Sequence, residues 1–371
     1  MRIDKIALNG FRNYEWETAE FAPGINVIAG QNAQGKTNLL EAVYLLSTGR
    51  SFRTRFDREL IGFGYSSAEV LAEGFSHERA QSVRIVLQPG TAKKIQVNGV
   101  KKTAGELAGT INAVLFCPDD LNLIKEGAAV RRRLMDNAIS QIRPRYAEVL
   151  AEFNRLYEHK SRILKDWHEK PSLLDTLDEF SDAMARASAH LIRYRAAFAA
   201  RLGEAAAPIH RAFSGEGEEL SMAYKTVSTV REPTGSAKEI YYDICEHQES
   251  HRQAELESGQ CLTGAHKDDL DIFINGRPAR SFASQGQTRT AALSIKLAER
   301  EIFLAETGEY PILLLDDVLS ELDARRQEFV LNRIGGGQTL ITCCEDGGIS
   351  QRTGGRVLLV ENGRIRPQKN A

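Results

Sequence analysis

One octapeptide limits the possible folds of this chain more than any other feature: Gly30-Gln31-Asn32-Ala33-Gln34-Gly35-Lys36-Thr37. It fits the pattern GxxxxGK[ST]. The apolar run Ile25-Asn26-Val27-Ile28-Ala29 before it reads as a buried strand, and residues 37–46 after it read as a helix, which is the context the pattern requires. The glycines let the backbone wrap so that its N–H groups and the helix N-terminus face phosphate oxygens. Lys36 is then expected to reach the terminal phosphates, and the Thr37 hydroxyl to ligate Mg²⁺.

A triphosphate site also needs a carboxylate at the end of a neighbouring buried strand. Ile312-Leu313-Leu314-Leu315-Asp316-Asp317 supplies four apolar residues followed by two acids. Asp316 is expected to hold Mg²⁺, and Asp317 to orient the attacking water and accept its proton. The two motifs stand at opposite ends of the sequence, so one α/β nucleotide-binding fold must enclose whatever lies between them.

What lies between is mostly helical. Strand signals at residues 2–8, 70–75, 83–87, 95–97 and 113–116 give way after Pro118 to apolar residues at three- and four-residue steps. Leu134 to Leu156 reads as one amphipathic helix and Leu173 to Leu202 as a second, broken from the first near Pro171, and such a pair packs antiparallel. Strands return from Thr263, a helix is expected over 287–304, and Asn98-Gly99, Asn275-Gly276 and Asn362-Gly363 have hairpin-turn chemistry. The expected division is 1–117 and 261–371 as two halves of one head, with 118–260 as an inserted helical arm.

Composition excludes several classes. With 371 residues the chain has ample core, and a formal net charge of −2 from 48 Lys+Arg and 50 Asp+Glu rules out coating nucleic acid by total charge. Any nucleic-acid site must be a local patch; the candidates are Lys93-Lys94, Lys101-Lys102 and Arg131-Arg132-Arg133, each equally readable as a solvated charged face. No apolar run approaches the roughly 18 residues of a membrane span, and the start lacks the apolar core of a secretory signal, so a cytoplasmic protein is expected. The five cysteines, an odd number without CxxC spacing, read as reduced thiols.

Beyond these motifs, an ordered set of segments resembles the RecF family, bacterial recombination proteins related to the SMC branch of the ABC-type ATPases. The set includes Leu8-Asn9-Gly10-Phe11-Arg12-Asn13-Tyr14, Thr37-Asn38-Leu39-Leu40-Glu41-Ala42, Gly49-Arg50-Ser51-Phe52-Arg53-Thr54 and Phe116-Cys117-Pro118-Asp119-Asp120. It continues through Arg131-Arg132-Arg133-Leu134-Met135-Asp136, Thr263-Gly264-Ala265-His266-Lys267-Asp268-Asp269, Ser284-Gln285-Gly286-Gln287 and Leu315-Asp316-Asp317-Val318-Leu319-Ser320-Glu321-Leu322-Asp323.

The resemblance implies an ABC/SMC-type P-loop ATPase head with an inserted arm and no long coiled coil. It implies ATP and Mg²⁺ as cofactors, with Asn38, Arg12 and Arg53 beside the phosphates. Ser284, Gln285, Gly286 and Gln287 would cap the γ-phosphate held by a second copy, and Asp323 would lie in a loop at that dimer interface. By the same resemblance the protein is a weak, DNA-stimulated ATPase that binds single-strand/duplex junctions of gaps. It would help RecR and RecO place RecA on strands covered by single-strand-binding protein (SSB). A transport-type ABC subunit and a nucleotide kinase are the alternatives.

Some positions depart from the family pattern: Ala129, Leu134, Ala265 and Lys267 stand where Pro, an aromatic, Pro and Arg are usual. Where related ATPases carry a switch histidine, this chain has Cys343-Cys344, which fits slow hydrolysis.

Overall fold

A computed structural model describes residues 1–215, 217–344 and 348–368. The chain forms two compact units, residues 1–122 with 292–371, and residues 123–291.

The first unit is built on two six-stranded sheets. One is mainly parallel. Its central strand, Ile25–Ala29, is flanked by Thr339–Cys343 and Arg356–Glu361; Ile312–Leu315 and Ala113–Phe116 follow on the Thr339 side. Strands Ile25–Ala29, Ala113–Phe116 and Ile312–Leu315 are short and largely apolar because both of their faces are covered. The other sheet is antiparallel and contains Arg2–Phe11, Tyr14–Glu20, Ala68–Ser76, Arg79–Leu87, Lys94–Val97 and Val100–Lys102. Helix Lys36–Thr48 joins both sheets in one core through Leu39, Leu40, Val43 and Leu46. Gln338 ties the sheets directly: its buried amide accepts from Ile3 N–H at 2.8 Å and donates to the Ile3 carbonyl at 2.7 Å, imitating a strand pair.

The second unit holds helices Ala128–Ile142, Pro144–Asp166, Leu177–Ser214 and Ala237–Ser258, and a three-stranded sheet of Leu220–Lys225, Asp269–Ile274 and Arg277–Pro278. Its interior holds a buried polar network. Asp268, fully buried, accepts from Arg195 at 2.8 Å, Tyr224 at 2.5 Å and Thr226 at 2.7 Å, and Arg195 also grips Asp136 with two bonds.

Two expectations need correction, and one helix was not foreseen. The helix expected from Leu134 to Leu156 is two helices, because Pro144 pushes Arg143 out of the helical region, to φ −130° and ψ 94°. The arm extends beyond 260: strand Asp269–Ile274 pairs with Leu220–Lys225, so the unit runs to Ala291 and includes Ser284. Helix Ala237–Ser258, which periodicity did not disclose, buries few apolar side chains; its sequence signal is the capping box of Ser236 and Glu239. Among the described residues no helix is long and apolar enough to cross a membrane.

Candidate nucleotide site

The loop after strand Ile25–Ala29 leads into helix Lys36–Thr48 through Gly35, at φ 121°. A Cβ on Gly35 would lie 2.8 Å from Asn13 Nδ2 and 3.0 Å from the Tyr14 hydroxyl, so only glycine fits. Those neighbours brace the loop. Asn13 Nδ2 donates to the Gln34 carbonyl at 2.9 Å and Tyr14 Oη to the Gly35 carbonyl at 2.9 Å. From the hairpin turn at Asn362-Gly363, Gly363 N–H donates to the Gln34 carbonyl at 3.1 Å. Lys36 lies buried in the mouth of the loop, its ammonium donating to the carbonyls of Gly30 at 2.5 Å and Gln31 at 2.9 Å.

Asp316 ends a strand separated from the loop's own strand by Thr339–Cys343, and the three ends converge. Asp316 Oδ1 accepts from Thr37 Oγ1 and from Thr342 Oγ1, each at 2.9 Å. Thr342 Oγ1 in turn accepts from Asp317 N–H at 2.8 Å. Desolvation by burial raises the Asp316 pKa against the lowering effect of the two hydroxyls, and the Asp317 charge adds to the rise. Asp317 has a left-handed backbone at φ 53°, with Ser320 Oγ donating to its carbonyl at 2.6 Å. Thr342 was not among the expected site residues; the signal for it is a hydroxyl next to the end of a buried strand, Thr339–Cys343.

Arg12 and Arg53 flank helix Lys36–Thr48 but meet there over a carboxylate. Glu41, wholly buried, accepts two bonds from Arg12 at 2.7 and 2.8 Å and one from Ser51 Oγ at 2.5 Å. Arg53 lies 3.6 Å from Glu41 and donates to Asn38 Oδ1 at 2.7 Å. Asn38 reaches back to Asn13 Oδ1 at 2.8 Å, which closes a chain of contacts from Arg53 to the loop. The Cys344 thiol donates to Asn32 Oδ1 at 3.0 Å, so the pair standing at the switch position touches the loop itself.

Ser284 caps helix Gln285–Thr307. Its Oγ accepts from Gln287 N–H at 3.2 Å, while Gln287 Oε1 accepts from Ser284 N–H at 2.9 Å, a reciprocal box. Asp323 likewise caps helix Ala324–Arg333, accepting from Arg326 N–H at 3.0 Å.

The basic candidates separate into two kinds. Lys94 and Lys101 are exposed on one antiparallel hairpin, where Gln96 pairs with Lys101; Lys93 pairs with Asp57 at 2.9 Å and Lys102 with Glu106 at 3.3 Å. Arg133 is exposed and Arg132 half-buried, donating to the Asp268 carbonyl at 2.6 Å. Arg131 is a correction. It is buried, grips Asp269 with two bonds at 2.7 and 2.9 Å and donates to the Glu126 carbonyl at 2.7 Å, so it braces the second unit.

A phosphate loop closing one parallel strand, an acid closing the next strand but one, and a hydroxyl on the strand between them define a P-loop ATPase head of the ABC/SMC type. The sequence profile of the RecF/RecN/SMC N-terminal domain matches residues 2–354. The chain belongs to the RecF family. It is similar to the DNA replication and repair protein RecF of Acetivibrio thermocellus, 40% identical over 346 residues, covering 93% of this chain and 94% of the relative. The RecF of Listeria innocua is 41% identical over 364 residues, covering 95% of each. A solved structure described as the recombination mediator protein RecF-ATP in the RecFOR pathway aligns with TM-score 0.91 at 34% identity, over 99% of this chain and 97% of that one. An SMC head domain from Pyrococcus furiosus, at 17% identity and TM-score 0.57, shares the fold. Family membership sets aside the transport-subunit and nucleotide-kinase alternatives.

Proposed function

We propose that this chain is an ATP-dependent DNA-binding protein of recombinational repair in the cytoplasm, in which ATP joins two copies and slow hydrolysis releases them. The observation that carries the reading is the convergence of Thr37, Thr342 and Asp316 beside Lys36 and the braced loop. The donor set fits Mg²⁺. The desolvated Asp316 carboxylate has two hydroxyl donors and a like charge at Asp317 around it, and burial disfavours its ionised form, which a cation would restore. Thr37 and Asp316 would hold the ion, which when bound neutralises charge on the β- and γ-phosphate oxygens.

The chain's own residues do the rest. Lys36 exchanges two loop carbonyls for phosphate oxygens, and residues 30–37 supply backbone N–H donors. Asp317 orients water, with its backbone held by Thr342 and Ser320. Ser284 and residues 285–287, at the start of a long helix, meet the γ-phosphate of a second copy, and Asp323 lies at the same interface. This makes ATP a population switch, because its bridging contacts exist only in the dimer.

The dimer binds gapped DNA at single-strand/duplex junctions, with Lys93, Lys94, Lys101, Lys102, Arg132 and Arg133 as phosphate contacts, and acts with RecR, and through it RecO, RecA and SSB. The relatives' names and the likeness to a RecF-ATP structure support this reading. Light scattering with and without ATP and Mg²⁺, and ATP hydrolysis with and without gapped DNA, test it. A constant monomer mass under saturating nucleotide and DNA would remove the dimer switch.

A further inference from the structure

Residues 50–65 leave helix Lys36–Thr48 and return to strand Arg2–Phe11, and they alternate arginines with aromatic rings. The two ends of the segment are fixed. Phe52 turns inward, edge-on to Tyr44 at 5.5 Å; Ser51 and Arg53 bond Glu41 and Asn38; Leu60 is buried, and its carbonyl accepts from Arg12 N–H at 2.8 Å. Between and beyond these anchors the rings face outward. Phe56 is more than half exposed and Phe63 is wholly exposed. Phe63 stands on a turn between Gly62 and Gly64, the latter at φ +84°.

The charges are sorted in the same way. Both acids of the segment are occupied within the head: Asp57 pairs with Lys93, and Glu59 accepts from Thr54. Arg50, Arg55 and Arg58 are exposed and have no carboxylate partner among the described residues; Arg58 lies over the Phe56 ring at 5.2 Å. The Lys93–Asp57 pair also sets the exposed Lys94 beside the segment. A set of unpaired guanidiniums calls for a polyanion. Rings standing in water call for flat apolar faces, and in nucleic acid only unpaired bases offer them. Duplex bases are stacked on one another and closed to a side chain approaching from outside.

We infer that residues 50–65 bind an unpaired DNA strand, with its bases stacked on Phe56 and Phe63 and its phosphates on Arg50, Arg55 and Arg58. This deepens the DNA-binding reading and rests on it. It gives that reading a partner for the single-stranded side of a junction, on a segment bonded through Asn38 to the helix of the phosphate loop.

The test is fluorescence anisotropy of the full chain with three probes at fixed salt: a thymidine 20-mer, an abasic strand of equal phosphate number, and a duplex. The Phe56→Ala, Phe63→Ala double variant is expected to bind the thymidine strand about tenfold or more weakly, and the abasic strand and duplex as the wild type does. The Arg55→Glu, Arg58→Glu double variant is expected to weaken binding to both single strands and to flatten the salt dependence. Equal binding of the thymidine strand by wild type and the Phe double variant overturns the inference, as does a parallel loss on the abasic strand. Light scattering with ATP separates this from the broader reading. A Phe double variant that loses the nucleotide-dependent mass doubling assigns the rings to the second copy and overturns the inference. A wild type that never doubles, while the Phe double variant still shows the thymidine-specific loss, leaves the inference standing alone.

Discussion

Thr37 and Asp316, 279 residues apart in sequence, share a 2.9 Å hydrogen bond from hydroxyl to carboxylate. That contact joins the first and last quarters of the chain, and it is where a divalent cation would enter.

Thr342→Val removes the hydroxyl that donates to Asp316 and accepts from Asp317 N–H while keeping the side chain's shape. Steady-state hydrolysis is expected to fall by about 10- to 100-fold in kcat with KM little changed, since Asp317 loses its anchor while the loop keeps its own. A change confined to KM would contradict the placement of Asp317.

Lys36→Arg keeps the cation but replaces a compact ammonium seated between two carbonyls with a planar fork. Nucleotide binding, read by a fluorescent ATP analogue, should remain within about tenfold, while phosphate release falls by about 10²- to 10³-fold. Unimpaired turnover would remove Lys36 from the phosphate site.

Ser284→Arg introduces bulk and charge at a helix tip. ATP binding by the monomer should be unchanged, and the ATP-dependent dimer should weaken about a hundredfold, roughly 3 kcal/mol of interface free energy. Sedimentation with a non-hydrolysable analogue reads this directly, and a persisting dimer would count against the two-copy sandwich.

Arg12→Met leaves Glu41 buried with its bidentate partner gone. Unfolding by urea should show a loss of about 3–5 kcal/mol, and adding Glu41→Gln should recover most of it, because the uncompensated charge causes the loss. A loss that Glu41→Gln fails to relieve would place the effect in packing.

His266 gives an acid-dependent signal. Its Nε2–H donates to the Cys261 carbonyl at 2.9 Å, its Nδ1 is buried without a partner among the described residues, and desolvation lowers its pKa to about 4. An unfolded histidine titrates near 6.5, so the unfolded chain takes up the proton first as pH falls. The contribution is whole above about pH 6.5 and lost by about pH 4. Relative to wild type, His266→Phe should lose less stability between pH 7 and 4.5, by up to about 3 kcal/mol. Parallel pH profiles for the two proteins would exclude the imidazole as the source.

Much of this was legible in the sequence. The phosphate loop and the acid pair announced themselves through local pattern, because each needs a strand, a turn and a particular residue within ten positions. Their neighbours did not: Tyr14 and Gly363 reach the loop, and Thr342 the acid pair, only through strand pairings that no local window records. The Arg131 run looked basic, yet its first member is neutralised by Asp269, 138 residues away. Helix Ala237–Ser258 lacked a strong apolar stripe because most of its surface faces water. The arm's C-terminal limit was misplaced because the strand at 269–274 has the same alternation whichever sheet it joins.

The strand that carries the phosphate loop is synthesised early and finds both lateral neighbours late. Ile25–Ala29 is hydrogen-bonded on one side to Thr339–Cys343 and on the other to Arg356–Glu361. A nascent polypeptide released from the ribosome before position 339 therefore carries a complete phosphate-loop sequence on a strand without either flank. A product terminated there lacks the strand pairing that seats the loop, and that pairing is complete only once residues 339–361 have been made.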